Sequence, residues 1–145
     1  ECIRTLEGHT SEINCALFSP DGALVFTASD DHQAKLWGTE SGECVHTLHG
    51  HDDEILSVAF SPDGALAVTA SSDRTAKLWS VVSGECIRTF IGHSDDVNIA
   101  VFLPDGALVL TASYDSMSKL WSADSGDCIH TLQGQVDWVL AALCS

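Results

Sequence analysis

The sequence predicts an all-β fold of small four-stranded sheets stacked side by side, and three observations support this expectation. A unit of 42 residues recurs without insertion from Glu1, Glu43 and Glu85, and a further copy begins at Asp127. Each copy contains four short runs of β-forming residues separated by turn formers. The inner runs are nearly continuous in apolar or small residues, which is typical of strands covered on both faces. A unit of this period buries its faces against neighbouring units, so each sheet should lie between two others.

The second copy shows the order of the elements within a repeat. The run CVHTL ends at Gly50-His51, and ILSVAF leads to the turn Ser61-Pro62-Asp63-Gly64. Proline presets φ in such a turn and glycine accepts a positive φ. ALAVTAS follows, then a tight turn at Ser72-Asp73-Arg74, the run TAKLWS, and Ser83-Gly84 at the end. Four strands of about five to seven residues per repeat are therefore expected.

Composition narrows the class of protein and of partner. The chain has 145 residues, 45% of them hydrophobic and 19% charged, which fits one globular domain. No apolar run approaches the roughly 20 residues of a membrane span, and ECIRTL has no features of a secretory signal. With 21 acidic and 6 basic side chains the formal charge is −15, which disfavours nucleic acid because that binding needs lysine and arginine. A protein or peptide partner, particularly a basic one, is expected, without nucleic acid or membrane.

Four of the six cysteines follow the same interval of 42 residues, namely Cys2, Cys44, Cys86 and Cys128. They form no Cys-x-x-Cys pair. We interpret them as small buried hydrophobic residues of a protein from a reducing compartment. The expected location is therefore the cytoplasm or the nucleus.

Three motifs in each copy carry a resemblance to a known family. They are the Gly-His pairs at Gly8-His9, Gly50-His51 and Gly92-His93, the turns of the SPDG type, and the KLW runs that end at Trp37, Trp79 and Trp121. In these motifs the chain resembles the WD-repeat β-propeller family over essentially all 145 residues. The aspartate that usually follows the tryptophan is replaced by Gly38, Ser80 and Ser122. The resemblance implies a single domain over residues 1–145, a partial propeller of four-stranded antiparallel blades, with repeats 1–42, 43–84 and 85–126 and a partial repeat 127–145.

The family also implies that the sequence repeat is offset from the blade. ECIRTL would be the outer strand of a preceding blade, and WVLAALCS the inner strand of a following one, so three complete blades and fourteen strands are expected. Three blades are too few to close a ring. Two chains would supply enough strands for seven blades, but the leftover strands are inner and outer ones with no middle strands between them. We therefore expect a segment of a longer propeller, most plausibly seven-bladed, or a truncated gene product. In either case the end blades of the segment should expose apolar faces, which makes self-association an option.

Each complete copy contains a histidine, a threonine, an aspartate and a tryptophan at matching positions. The sets are His9, Thr27, Asp31 and Trp37; His51, Thr69, Asp73 and Trp79; and His93, Thr111, Asp115 and Trp121. An indole N–H, a hydroxyl, an imidazole and a carboxylate can satisfy one another inside a sheet, and the family resemblance implies this arrangement. Ser29, Ser71 and Ser113 could supply the hydroxyl instead. A Thr-His-Asp hydrolase is the alternative, but three copies between packed sheets favour a structural role.

Metal and cofactor sites are not expected. His46, His49 and His51 form the tempting cluster HTLHGH, yet His51 belongs to a repeated set, and His46 and His49 are an odd number of residues apart on a strand and so point to opposite faces. No cysteine pair completes a coordination shell, and no phosphate-binding glycine loop is present.

Positions that differ between copies are the candidates for recognition. The family resemblance places the first strand of each blade along a central channel and makes the rim of that channel the usual docking surface. The rim candidates are Glu12, Asn14, Asp30, Glu54, Leu56, Ser72, Asp96, Asn98, Tyr114 and Trp138, with Leu140 beside the last. The carboxylates suit a lysine- or arginine-containing partner, and Tyr114 and Trp138 are candidate aromatic anchors. Ordinary solvated loop residues are the alternative for the carboxylates, and packing within a further blade is the alternative for Trp138.

These observations predict a noncatalytic protein-interaction scaffold with an acidic rim. The alternative is the sensor region of a larger signalling protein, such as a nucleotide-binding switch protein or a kinase. Gln135 stands where the earlier copies have histidine, and its role depends on residues beyond those given.

Overall fold

A computed structural model describes residues 1–134, and it confirms the all-β prediction. Twelve strands form three four-stranded antiparallel sheets over these residues. The strands are β1 Ile13–Phe18, β2 Leu24–Ser29, β3 Ala34–Gly38, β4 Cys44–Leu48, β5 Ile55–Phe60, β6 Leu66–Ser71, β7 Thr75–Ser80, β8 Cys86–Ile91, β9 Val97–Phe102, β10 Leu108–Ser113, β11 Met117–Ser122 and β12 Cys128–Gln133. We call the sheets blade 1 (β1–β4), blade 2 (β5–β8) and blade 3 (β9–β12). Within residues 1–134 no helix is long and apolar enough to cross a membrane.

Each blade is a simple meander in which every strand pairs with the next one in sequence. The first hairpin closes through the SPDG turn. In blade 1 the Gly22 N–H donates to the Ser19 carbonyl oxygen at 2.9 Å, and the Ser19 hydroxyl donates to Asp21 Oδ1 at 2.6 Å. Gly22 has a φ of 74°, the left-handed conformation that glycine adopts without steric cost. The same turn geometry recurs at Gly64 and Gly106, so the repeated sequence gives a repeated hairpin.

The hydrophobic core lies between the blades rather than within one sheet. One cluster joins blade 1 to blade 2, and there the Phe26 and Phe60 rings are 5.4 Å apart between centroids. A second cluster joins blade 2 to blade 3 and brings the Phe90 and Trp121 rings to 5.4 Å. Burial of a large apolar side chain stabilises by about 1.5–3 kcal/mol, so these interfaces hold the stack together. Burial on both faces accounts for the continuous apolar runs of the middle strands.

The prediction of fourteen strands is wrong at the amino-terminal end. Residues 1–9 contain no strand, although ECIRTL was expected to form one. A β-strand requires a hydrogen-bonded neighbour, and among the described residues no strand pairs with this segment. The Arg4 side chain nevertheless lies against Gly42, as the Arg88 side chain of β8 lies against Gly126. The segment thus lies where an outer strand would lie, but it makes no hydrogen-bond ladder with another strand. WVLAALCS lies outside the described residues.

The interpretation of the periodic cysteines as buried is also wrong. Cys2, Cys44, Cys86 and Cys128 are all exposed. The last three open the fourth strand of their blades, which is the outer edge strand, so their side chains meet solvent instead of a neighbouring sheet. In β4 the Cys44 thiol donates to the His46 carbonyl oxygen at 3.4 Å. A fixed sequence interval showed that the position is structurally equivalent in every repeat, and equivalence does not require burial.

Candidate functional site

In blade 1 the four residues of the repeated set form one continuous chain of hydrogen bonds. The Trp37 indole N–H donates to Thr27 Oγ1 at 2.8 Å. Thr27 Oγ1 lies 2.8 Å from His9 Nε2, and His9 Nδ1 lies 2.8 Å from Asp31 Oδ2. Asp31 also accepts the backbone N–H of Thr10 at 3.0 Å, so the chain ties the loop before β1 to β2 and β3. The threonine hydroxyl is the central group because it serves both the indole and the imidazole.

Blades 2 and 3 repeat the arrangement with nearly the same geometry. The indole-to-hydroxyl distances are 2.9 Å at Trp79 and 2.8 Å at Trp121. The imidazole-to-carboxylate distances are 2.6 Å between His51 Nδ1 and Asp73 Oδ2 and 2.7 Å between the equivalent atoms of His93 and Asp115. In blade 2 the Thr75 hydroxyl also donates to Asp73 Oδ1 at 2.7 Å.

The indole fixes the direction of one bond in each set. An indole nitrogen only donates, so the threonine oxygen accepts that bond. In blades 1 and 3 the threonine hydroxyl also lies 3.4 Å from an acceptor on the neighbouring strand, the carbonyl oxygen of Lys35 or Lys119. Each set therefore gives every one of its buried polar groups a hydrogen-bond partner.

The hydrogen bonds lower the pKa of the three aspartates. Burial alone would raise the pKa of Asp73, but hydrogen bonds from His51 and Thr75 outweigh it and hold the pKa well below the ordinary value of 3.8. At Asp31 and Asp115 burial likewise raises the pKa. Hydrogen bonds from the histidine and from backbone N–H groups outweigh it, so the pKa of both carboxyls is lowered. The carboxylates therefore remain charged and keep accepting hydrogen bonds at neutral pH.

The arrangement does not present a nucleophile to a substrate. Thr27, Thr69 and Thr111 are buried, and the side chains of His51 and His93 are almost fully buried. A hydrolase needs a hydroxyl that opens into a cleft, and none of these three hydroxyls does so.

The serines beside the threonines have a different structural role. The Ser71 hydroxyl accepts the Asp73 N–H at 3.1 Å and donates to the Asp53 carbonyl oxygen at 3.2 Å. Ser113 makes the equivalent bonds to the Asp115 N–H and to the Asp95 carbonyl oxygen, each at 3.1 Å. These hydroxyls therefore hold the turn and the entering loop together and do not accept the indole N–H.

The rim candidates meet in pairs at one end of each blade. The N–H of Asp30 donates to the Glu12 carbonyl oxygen at 2.9 Å, and the equivalent bonds join Ser72 to Glu54 and Tyr114 to Asp96. Side chains of Glu12, Glu54 and Tyr114 are exposed, whereas those of Asp30, Leu56, Ser72, Asp96 and Asn98 are partly buried. Trp138, Leu140 and Gln135 lie outside the described residues.

Asn14 makes contacts within the protein as well as standing at the rim. Its Nδ2 donates to Asp30 Oδ1 at 2.6 Å and to the Ile55 carbonyl oxygen at 3.0 Å. The second bond links blade 1 to the first strand of blade 2. Asn14 therefore has a structural role that the rim prediction did not include.

The sequence prediction missed other acidic residues of the same rim. Asp52, Asp53 and Asp95 are exposed in the loops that lead into β5 and β9. His32 Nε2 lies 4.0 Å from Asp53 Oδ1, so a basic group of blade 1 approaches the acidic loop of blade 2. The positions of Asp52, Asp53 and Asp95 after the Gly-His pairs could have identified them, because these loops open on the rim.

The histidines of HTLHGH are separated by the fold. His46 lies in β4 with its Nε2 at 2.9 Å from the Val82 carbonyl oxygen, His49 follows the strand, and His51 belongs to the set of blade 2. Within residues 1–134, no three histidine, cysteine, aspartate or glutamate side chains group as metal ligands.

The three repeats match the sequence profile of a known family. The sequence profile described as "WD domain, G-beta repeat" matches residues 1–38, 42–80 and 84–122. The chain belongs to the WD-repeat family. Its WD repeats are close to those of WD repeat-containing protein 38 of Mus musculus, with 50% identity over 40 residues, and of vegetative incompatibility protein HET-E-1 of Podospora anserina, with 49% identity over 41 residues. Each alignment covers 28% of this chain.

Solved structures share the fold of these WD repeats. The structure of U3-55K superposes with a TM-score of 0.87 and 28% identity over 92% of this chain, and the crystal structure of the RRP9 WD40 repeats gives the same values. The chain spans 42% of each of those chains, 13% of the mouse protein and 3% of HET-E-1. It is thus similar to a part of each relative. WD repeats generally serve as protein-interaction scaffolds.

Proposed function

We propose that this WD-repeat chain is a noncatalytic interaction scaffold whose acidic rim binds a lysine- or arginine-containing protein or peptide. The observation that carries the proposal is the set of exposed carboxylates at one end of adjacent blades, including Glu12, Asp53 and Glu54. They stand on a backbone that is the same in every blade. At this end the exposed carboxylates outnumber the basic side chains, which include Arg74 and His32. An excess of negative charge along a rim raises the local concentration of positively charged ligands and guides their approach.

Tyr114 gives the rim an aromatic contact for the same partner. Its side chain is 68% exposed, and its N–H is bonded to the carbonyl oxygen of Asp96. An exposed aromatic ring on an acidic rim suits an arginine, because the guanidinium can stack on the ring. Trp138 is proposed as a second anchor from the sequence.

A binding titration with a short peptide of alternating arginine and glycine residues tests the proposal. In the variant Glu12→Lys/Glu54→Lys we expect binding about tenfold weaker, because two exposed pairs worth about 0.2–1 kcal/mol each are replaced by repulsion. The matched control is Glu43→Lys/Glu85→Lys, which changes the net charge equally at exposed positions next to the β3–β4 and β7–β8 turns, at the opposite end of the blades. Equal weakening by both variants would show that only net charge matters and would refute a rim site.

The sensor region of a larger signalling protein remains the second candidate function. The repeats match a short part of much longer relatives, such as apoptotic protease-activating factor 1 of Danio rerio, with 48% identity over 33 residues and 3% of its length. The gene sequence on either side of this segment tests the idea, since a phosphate-binding loop there would favour it. We also propose a cytoplasmic or nuclear location, which is supported by the five free cysteines among the described residues.

A further inference from the structure

A crevice separates blades 2 and 3 at the end of the blades opposite the rim. It has a volume of about 460 Å³, which is within the range of pockets that hold a small ligand or a few side chains. Its apolar walls are formed by Leu66, Leu78 and Ile87 on blade 2 and by Ala107, Leu108 and Ala123 on blade 3. Both walls lie within residues 66–124, which the structure describes throughout, so the crevice does not depend on either end of the chain.

Blade 3 has a smaller side chain in this crevice than blade 2 has at the equivalent position. Ala123 is buried against blade 2, and its equivalent Val81 is buried against blade 1. An alanine side chain lacks the two outer methyl groups of valine. The junction of blades 2 and 3 therefore has more room for a side chain of another molecule at this position than the junction of blades 1 and 2.

Arg88 joins the two walls of the crevice. Its Nε and Nη2 donate to the Asp124 carbonyl oxygen at 3.1 and 2.6 Å, and its Nη1 donates to the Ile87 carbonyl oxygen at 2.8 Å. The guanidinium is thus held against backbone oxygens and links β8 to the β11–β12 turn. It keeps the crevice in shape and adds one positive charge beside it.

Asp105 lies at the edge of the crevice and has one hydrogen bond fewer than its equivalents. Its Oδ1 accepts the Ala107 N–H at 3.0 Å. The equivalents Asp21 and Asp63 each also accept a serine hydroxyl at 2.6 Å, and Leu103 replaces that serine in blade 3. The Asp105 carboxylate therefore keeps acceptor sites that a cation from another molecule can use.

Asp124 places a second carboxylate at the crevice. It is exposed and lines the crevice, whereas its equivalent in blade 2 is Val82. Within residues 1–134, neither a hydrogen bond nor a salt bridge engages its carboxylate. The β7–β8, β9–β10 and β11–β12 turns around the crevice carry no basic residue and four exposed acids, namely Glu85, Asp105, Asp124 and Asp127. This negative charge outweighs the single positive charge of Arg88 and attracts a basic ligand.

We propose that the crevice binds a peptide segment of a partner protein in which a large aliphatic side chain lies next to a lysine or arginine. The aliphatic side chain fills the space beside Ala123, and the cation pairs with the carboxylates of Asp124 and Asp105. The site lies at the opposite end of the blades from the rim and requires an apolar side chain. It therefore goes beyond the proposed function and does not depend on it.

Three capped tetrapeptides test the proposal in chemical-shift titrations of the isotope-labelled chain, which report weak binding at each residue. Lys-Leu-Leu-Lys should shift the backbone N–H signals of Ala107, Ala123 and Asp124. Lys-Ala-Ala-Lys has the same charge but no large apolar side chain, and Glu-Leu-Leu-Glu has the opposite charge. Measured at the same three signals, each of these two peptides should bind at least about tenfold more weakly.

Two variants that introduce the blade 2 residues locate the site. Ala123→Val fills part of the crevice and should weaken the binding of Lys-Leu-Leu-Lys about tenfold. Asp124→Val removes the carboxylate and should weaken it about threefold. Asp52→Val is the matched control, since it removes the same charge at an exposed position of the rim, and it should bind like the unchanged chain. The spectrum of each variant shows directly whether the chain is folded.

The absence of shifts at the crevice, equal binding of either comparison peptide, or unchanged binding by Ala123→Val would each overturn the proposal. Shifts at Glu12 and Glu54 without shifts at Ala107 and Ala123 would place the peptide on the rim. That result would overturn the crevice site and support the proposed function, so the two proposals fail separately.

Discussion

The hydrogen-bonded sets inside the blades and the rim at their ends differ in how they vary between copies. The indole-to-hydroxyl bond measures 2.8, 2.9 and 2.8 Å in the three blades, between the same residue types each time. At the rim the residue before the repeated aspartate is Asp30, Ser72 or Tyr114. Its backbone N–H nevertheless makes the same bond in every blade, at 2.9 to 3.0 Å.

The difference shows how one repeat can combine a fixed shape with variable recognition. A buried polar group that loses its partner costs about 1–3 kcal/mol, so the interior tolerates little change. The exposed rim side chains without bonds to other blades, such as Glu12, Glu54 and Tyr114, face solvent, and their replacement usually changes stability by no more than about 0.5 kcal/mol. The interior sets hold the loops, and the loops carry the residues that are free to differ.

Removing the central hydroxyl of an interior set should have the largest effect. Thr69→Val keeps the shape of the side chain but leaves the Trp79 indole N–H and His51 Nε2 without their partner. We expect a loss of about 2–4 kcal/mol in the free energy of unfolding, measured by urea denaturation. The matched control is Thr47→Val in β4, whose hydroxyl accepts a bond from the Lys35 ammonium nearer the surface. Equal losses in the two variants would contradict a special role for the interior set.

Acid should reduce the stability that the three hydrogen-bonded sets give to the fold. The pKa of Asp31, Asp73 and Asp115 is lower in the folded protein than the ordinary 3.8. These carboxylates therefore stabilise the fold above about pH 4, and this contribution is lost as the pH falls below 3.8 and through the folded pKa values. Urea unfolding at a series of pH values should show a decline below about pH 4. The decline should be shallower in Asp73→Asn, and an equally steep one would contradict the assignment.

Replacing Asn14, a rim residue that also bonds to the next blade, should give a smaller loss of stability. Asn14→Ala removes the bonds to Asp30 and to the Ile55 carbonyl oxygen, so we expect a cost of about 1 kcal/mol in the free energy of unfolding. Glu12→Ala nearby is the control and should change it by less than about 0.5 kcal/mol. Identical effects would mean that the bond between the blades contributes nothing.

Much of the fold could be predicted because the same pattern of residues occurs in three successive copies. The number of strands and the SPDG turns follow from residue types at fixed spacing, and the grouping of tryptophan, threonine, histidine and aspartate was implied by the resemblance to the WD-repeat family. The choice of Thr69 over Ser71 as the indole's partner did not follow, because both hydroxyls are chemically suitable and only the strand register separates them.

The errors arose where a residue's environment depends on neighbouring strands. Cys44 is exposed because β4 is an edge strand, and Glu1–Leu6 lacks a ladder because its pairing strand is not among the described residues. The bond from Asn14 to Ile55 joins two blades, and no pattern within one repeat could indicate it. Local sequence thus predicted the blade well and the contacts beyond the blade poorly.

The most direct test of the division between interior and rim measures stability and peptide binding on the same two variants. Trp79→Phe removes the indole bond to Thr69 but keeps the His51–Asp73 contact that holds the loop before β5, so it should lose about 1–3 kcal/mol of unfolding free energy and, under conditions where it stays folded, bind the arginine–glycine peptide like the unchanged chain. Glu54→Lys should keep its stability and bind the peptide more weakly. A stable Trp79→Phe chain that has lost binding, or a destabilised Glu54→Lys chain that binds normally, would contradict the account.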